Sequence, residues 1–183
     1  MLDEKCGLIL FTGKKQGGKT TILQRLVERL KREKFKIAGF VAPSVYKGAF
    51  LPGFDLVDIQ SGRSVKFARR KTTAQAFQFS DQGLEFGRKI LESEEARNAD
   101  LIIIDEFGPL ELEGDGWRKD TDLLLENKNC LLLVVREELV EAVKELYSGL
   151  SCRVFPAVEQ SIENIKRLLE KPGEKRGEGK NLQ

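Results

Sequence analysis

Leu8-Ile9-Leu10-Phe11-Thr12-Gly13-Lys14-Lys15-Gln16-Gly17-Gly18-Lys19-Thr20 is an apolar run passing directly into a loop of glycine and lysine. Four consecutive apolar residues, Leu8 to Phe11, predict a strand buried on both faces. Gly13 to Thr20 fits the pattern G-x-x-x-x-G-K-[ST]. Glycines let successive backbone N–H groups turn towards phosphate oxygens, and the helix starting beside them adds its positive end. Lys19 is the side chain expected to reach the β- and γ-phosphates, and the Thr20 hydroxyl the one expected to ligate Mg²⁺. Gly13, Lys14, Lys15, Gln16, Gly17, Gly18, Lys19, Thr20 and Thr21 are therefore the candidate nucleotide-binding residues. Lys14 and Lys15 add positive charge to the mouth of the loop.

Downstream, Thr20 to Lys34 reads as a helix, with Ile22, Leu23, Leu26, Val27 and Leu30 on one face. Phe35 to Val41 reads as a second strand, completing a βαβ unit. The alternation then breaks. Phe54-Asp55-Leu56-Val57-Asp58-Ile59 and Val65-Lys66-Phe67-Ala68 flank the turn residues Gln60-Ser61-Gly62-Arg63. This pattern predicts a β-hairpin inserted over about residues 44–71. Ser80 offers a cap for a helix running to about Asn98, although Gly83 and Gly87 weaken it.

Leu101 to Ile104 is a further buried strand, and it ends in Asp105-Glu106. Ligands of an open α/β sheet lie beyond the carboxyl ends of its strands, so this acidic pair should face the phosphate loop. Asp105 is then a second candidate Mg²⁺ ligand beside Thr20. Glu106 is the group placed to orient or deprotonate an attacking water. The separation of Lys19 from Asp105 leaves room for an additional strand between their elements. A short helix is predicted near residues 116–127, a strand over 130–135, a helix over 137–147, a strand over 151–155 and a last helix over 162–169. Arg136, directly after the fourth buried strand, and Arg69 with Arg70, at the end of the hairpin, are candidate charge stabilisers at the terminal phosphate. The sum is an α/β P-loop NTPase fold, a mostly parallel sheet flanked by helices, with an inserted β-hairpin in one domain over 1–170.

Composition narrows the chemistry. The chain has 183 residues and no histidine, which excludes mechanisms built on imidazole. Lys and Arg number 31 and Asp and Glu 29, a net charge of +2. Four of the basic and two of the acidic residues fall in 171–183, so the body is formally neutral and carries no extended basic footprint for nucleic acid. That last segment is glycine, proline and charge, and is expected to be disordered. Cys6, Cys130 and Cys152 form no CxxC pair, and those in predicted strands are expected to be small buried hydrophobes of a reducing compartment. The N-terminus does not read as a signal peptide, and the longest aliphatic run is far too short to span a bilayer. The expectation is a cytoplasmic protein with no membrane or nucleic-acid partner.

Several segments together resemble the cancer-related nucleoside-triphosphatase family, the thermophile-type NTPases. They are the phosphate loop with Thr20-Thr21-Ile22-Leu23, Ala38-Gly39-Phe40, Gly53 to Asp58 with Ser61-Gly62 and Ala68-Arg69, and Asp105-Glu106-Phe107-Gly108-Pro109-Leu110-Glu111-Leu112. The resemblance spans about residues 7 to 170, and the Asp-Glu-x-Gly-x-x-Glu-Leu stretch is its most specific part. It implies a P-loop fold, Mg²⁺, and slow hydrolysis of ATP, GTP and other nucleoside triphosphates to diphosphate and phosphate. Gln16, and Ala42-Pro43 after the second strand, depart from the family pattern. Two other functions compete with hydrolysis: a nucleotide or small-molecule kinase with the insertion as acceptor lid, and a nucleotide-dependent adaptor module.

Overall fold

The computed structural model describes residues 7–14 and 17–170. Five parallel strands form one half of one sheet: β2 (Ile37–Val41), β7 (Leu101–Ile104), β8 (Leu131–Arg136), β1 (Leu8–Gly13) and β9 (Cys152–Pro156), side by side in that order, with β9 at the edge. β8 therefore separates the phosphate-loop strand β1 from the acidic strand β7, the additional strand for which the sequence left room. β7, Leu8 to Phe11 of β1 and Leu131 to Val135 of β8 are buried, as their unbroken apolar runs require.

Alternate side chains of these strands feed two cores. Ile9, Phe11, Ile103, Leu132 and Val134 pack against Leu23, Leu26 and Leu30 of α1 (Lys19–Arg32) and Ile162 and Ile165 of α7 (Glu159–Leu169). Leu8, Leu10, Ile102, Ile104, Leu131 and Leu133 face the opposite side. There they meet α2 (Asp81–Leu91), α3 (Glu94–Arg97), α5 (Arg118–Glu126) and α6 (Val140–Leu146). Gly39, in the middle of β2, sits at φ +103° with its Cα against β7, where a Cβ would stand 1.9 Å from the Ile103 carbonyl oxygen. Only glycine fits that approach.

The insertion is larger than the expected hairpin. β3 (Ser44–Lys47), β4 (Phe50–Asp58), β5 (Ser64–Arg69) and β6 (Gln78–Phe79) are antiparallel, and β4 joins β2, so the extension continues the parallel sheet through Phe79. Its short, polar outer strands carried too little alternation to be read. The helix expected to run to Asn98 is broken: it stops at Leu91, and Ser93 caps α3 by accepting from the Ala96 N–H at 3.1 Å. Ser80 caps α2, accepting from Gly83 N–H at 2.8 Å. The loop after Glu106 contains an unforeseen short helix, α4 (Pro109–Leu112), and a 3₁₀ turn over Glu137–Leu139 precedes α6. Cys130 is buried as expected but is disulfide-bonded, which corrects its reading as a reduced thiol. Cys152 is a free, half-buried thiol. No helix among the described residues is long and apolar enough to cross a membrane. The tail expected to be disordered lies outside the described residues.

Candidate active site

The phosphate loop leaves β1 at Gly13 and enters α1 through Gly18, whose φ of +75° is a left-handed conformation open to glycine. Gly17 N–H donates to the Lys14 carbonyl at 3.0 Å and tightens the turn before it. The Lys19 stem is buried, and its ammonium donates to the carbonyls of Gly13 (3.2 Å) and Lys14 (2.9 Å), which holds it across the loop. Lys14 is exposed, and Lys15 and Gln16 lie outside the described residues. Among the described residues no side chain caps α1, and the Thr21 N–H donates to the Gly18 carbonyl at 3.1 Å, which leaves the N–H groups of Lys19 and Thr20 for a ligand.

Asp105 joins three elements on one carboxylate. Its Oδ2 accepts from the Thr20 hydroxyl at 3.2 Å and from the Ala42 N–H at 2.9 Å, and its Oδ1 accepts from the Glu106 N–H at 3.0 Å. The side chain is fully buried. Burial foremost, and the neighbouring Glu106 charge next, push its pKa up to about 7, against the pull of these hydrogen bonds. A buried carboxylate that makes no ion pair among the described residues, joined to a hydroxyl from the phosphate loop, is a hard-oxygen donor set. It suits Mg²⁺, an ion held by one or two carboxylates, substrate phosphates and waters.

Glu106 adopts φ +65°, rare for a residue with a side chain and a mark of strain retained at functional positions. The chain immediately after it holds it there. Phe107 N–H donates to the Val134 carbonyl at 3.1 Å. The buried Glu111 accepts from Gly108 N–H at 2.9 Å and Trp117 N–H at 3.4 Å, tying the acidic loop to the start of α5. Burial raises the Glu111 pKa despite those bonds. Leu112, the last residue of the acidic signature, packs half-buried against the core.

Gly17, Gly18, Lys19, Thr20, Thr21 and Glu106 border one cavity of about 570 Å³. Arg136 borders it too, because β8 ends level with β1 and sets Arg136 opposite Gly13. Arg69 does not. Its guanidinium pairs with Asp55 and donates to the Phe54 and Ala68 carbonyls. The neighbouring Arg70 lines the cavity instead, with Tyr46, Leu51, Phe54 and Phe77 of the extension. Arg70 was a candidate with Arg69, but Tyr46, Leu51, Phe54, Phe77 and the Ala42 N–H escaped the sequence reading. A main-chain donor leaves no mark in a sequence, and the only available signal for the wall was that an insertion after β2 emerges at the ligand-bearing edge.

Residues 8–170 match the family model described as NTPase. The nucleoside-triphosphatase THEP1 of Methanothermobacter thermautotrophicus is 31% identical over 148 residues, 75% of this chain and 80% of its own. That of Saccharolobus solfataricus is 33% identical over 140 residues, 74% of this chain and 80% of its own. The solution structure of a human cancer-related nucleoside triphosphatase superposes with a TM-score of 0.67 at 21% identity, covering 90% of this chain and 97% of that one, and so shares the fold. With a phosphate loop, an acidic strand end one strand away, and these relatives, the chain belongs to the NTPase family, a family of nucleoside-triphosphatases.

Proposed function

We propose that the protein hydrolyses ATP, GTP and other nucleoside triphosphates to the diphosphate and phosphate with Mg²⁺, in the cavity between the phosphate loop and Glu106. The observation that carries this is the Thr20–Asp105 hydrogen bond, which joins the start of α1 to the end of β7 beside Glu106. Backbone N–H groups of Gly18 to Thr20 bind the phosphates, and Lys19 exchanges its loop carbonyls for β- and γ-phosphate oxygens. Thr20 and Asp105 would hold Mg²⁺, which would supply positive charge against the triphosphate. Glu106 orients a water in line with the terminal phosphorus and takes its proton. The new bond joins the water oxygen to phosphorus, and the bridging oxygen departs on the diphosphate with the electron pair. Arg136 offsets charge that develops on the terminal phosphoryl oxygens. Arg69, committed to Asp55, takes no part in this scheme.

Phosphate release and nucleotide binding, measured on one Glu106→Gln preparation, test the assignment. The amide keeps the side chain's shape and removes its basicity, so turnover should fall by about 10²–10⁴ while binding persists. Undiminished hydrolysis would remove Glu106 from the mechanism.

A further inference from the structure

The cavity of about 570 Å³ runs from the phosphate loop to the antiparallel extension, so side chains of the extension border the same space as the triphosphate site, and its volume falls in the range of organic-ligand sites. The phosphate loop fixes which end of a nucleotide faces this space. Lys19 engages the β- and γ-phosphates, and Thr20 and Asp105 would hold Mg²⁺, so the terminal phosphate points towards Glu106 and Arg136, and the nucleoside leaves the loop from the other end. The space beyond the terminal phosphate is bounded by Tyr46, Leu51, Phe54, Arg70 and Phe77 of the antiparallel extension.

That wall has two chemical properties. It presents flat apolar surface: the Phe54 and Phe77 rings stand 5.0 Å apart at 59°, both half-buried, and Tyr46 is 59% exposed. It also presents a fixed cation. Arg70 Nε donates to the Leu51 carbonyl at 3.0 Å, Nη1 donates to the Thr73 carbonyl at 3.2 Å, and the guanidinium lies 4.5 Å from the Phe77 ring centre. Among the described residues no carboxylate pairs with Arg70, whereas the adjacent Arg69 is neutralised by Asp55. A guanidinium oriented by main-chain carbonyls and a ring, with no counter-charge, suits a phosphate.

We propose that the extension side of the cavity binds a nucleoside monophosphate, and that the protein transfers the terminal phosphoryl group of its nucleoside triphosphate to it. The proposal rests on the assignment of Gly13 to Thr20 as the triphosphate site. The base of the acceptor stacks on Phe54 and Phe77, and its phosphate meets Arg70 and Arg136. An oxygen of that phosphate attacks the terminal phosphorus. The new P–O bond joins donor and acceptor, the bond to the β–γ bridging oxygen breaks, and its electron pair stays with the departing diphosphate. Where the attacking oxygen carries a proton, Glu106 receives it. Two nucleoside diphosphates result.

The test uses the full chain with Mg²⁺, ATP labelled on its γ-phosphate, and AMP, GMP, CMP or UMP, the products being separated chromatographically. Label should appear in at least one acceptor as its diphosphate. Arg70→Met should raise the acceptor KM at least about tenfold, with partial recovery in Arg70→Lys. Phe77→Ala should raise the acceptor KM more than the ATP KM. Label found only in inorganic phosphate with all four acceptors overturns the transfer and leaves hydrolysis standing. Neither transfer nor phosphate release overturns the triphosphate-site assignment along with it. An ATP KM that rises more than the acceptor KM in Phe77→Ala assigns the aromatic wall to the donor's base and overturns the acceptor site.

Discussion

In the parallel half of the sheet, β1, β7 and β8 are covered on both faces by aliphatic side chains, and their carboxyl ends carry Gly13, Asp105 and Arg136. In the antiparallel half, β3 and β6 are largely exposed, the contacts are aromatic, and Gly53 lets β4 run against β5, where a Cβ would lie 1.8 Å from the Ala68 carbonyl oxygen. The parallel half holds charged groups rigidly in a dry setting, which suits phosphoryl chemistry. The antiparallel half is more exposed, and its side chains border the cavity. Position is built into one half, and recognition is left to the other.

The seam between them is where the contrast breaks most readily. Trp117 is fully buried between Phe40 of β2 and Phe67 of β5, with centroids at 4.5 and 5.0 Å, and its Nε1 donates to the Leu84 carbonyl. Trp117→Ala should cost about 3–5 kcal/mol in denaturant unfolding, because both halves lose a shared surface. Lys19→Ala strikes only the parallel half's chemistry: phosphate release should fall by about 10²–10³ with little change in the unfolding midpoint. A midpoint that collapses would make Lys19 a structural residue first.

Glu111 ties the acidic loop to α5, and Glu111→Gln should cost about 1–3 kcal/mol by leaving a buried N–H poorly paired. Its pKa is raised on folding, so the wild-type stability it contributes is full below the unfolded pKa and declines as pH rises through the folded one. The amide does not titrate, so the variant's deficit should be largest in acid and narrow towards alkaline pH, which thermal melts across a pH series would reveal. Smallest is Arg69→Met. With both partners of the Asp55 pair about one-third exposed, at 33 and 34%, the loss should stay within about 1 kcal/mol.

The same contrast sets how much was legible in the sequence. Leu8–Phe11 and Leu101–Ile104 announce buried parallel strands by composition alone, and fixed spacing from Gly13 to Thr20 announces the loop, because local rules dictate both. β3 and β6 hold their place through pairing with distant residues, and Arg70 reaches the cavity through main-chain carbonyls of Leu51 and Thr73. Neither leaves a periodic trace. The break after Leu91 was not read, although Ser93 followed by Glu94-Glu95 has the residue types of a helix start. The choice between Arg69 and Arg70 was not legible, because Arg69 ends β5 and is taken by Asp55 of β4, while Arg70 lies just past the strand, and only the pairing of β4 with β5 sets both.

One oxygen of Asp105 accepts from both Thr20 and Ala42, and Ala42 is the residue at which the chain leaves β2 for the antiparallel extension. A ligand that draws on that oxygen competes with the Ala42 N–H for its lone pairs, so occupancy beneath the phosphate loop and attachment of the extension are thermodynamically linked, each altering the other by the same free energy. The amide proton of Ala42 is the local gauge of that exchange. Its hydrogen-exchange rate should respond to what fills the loop even though the residue itself touches no phosphate.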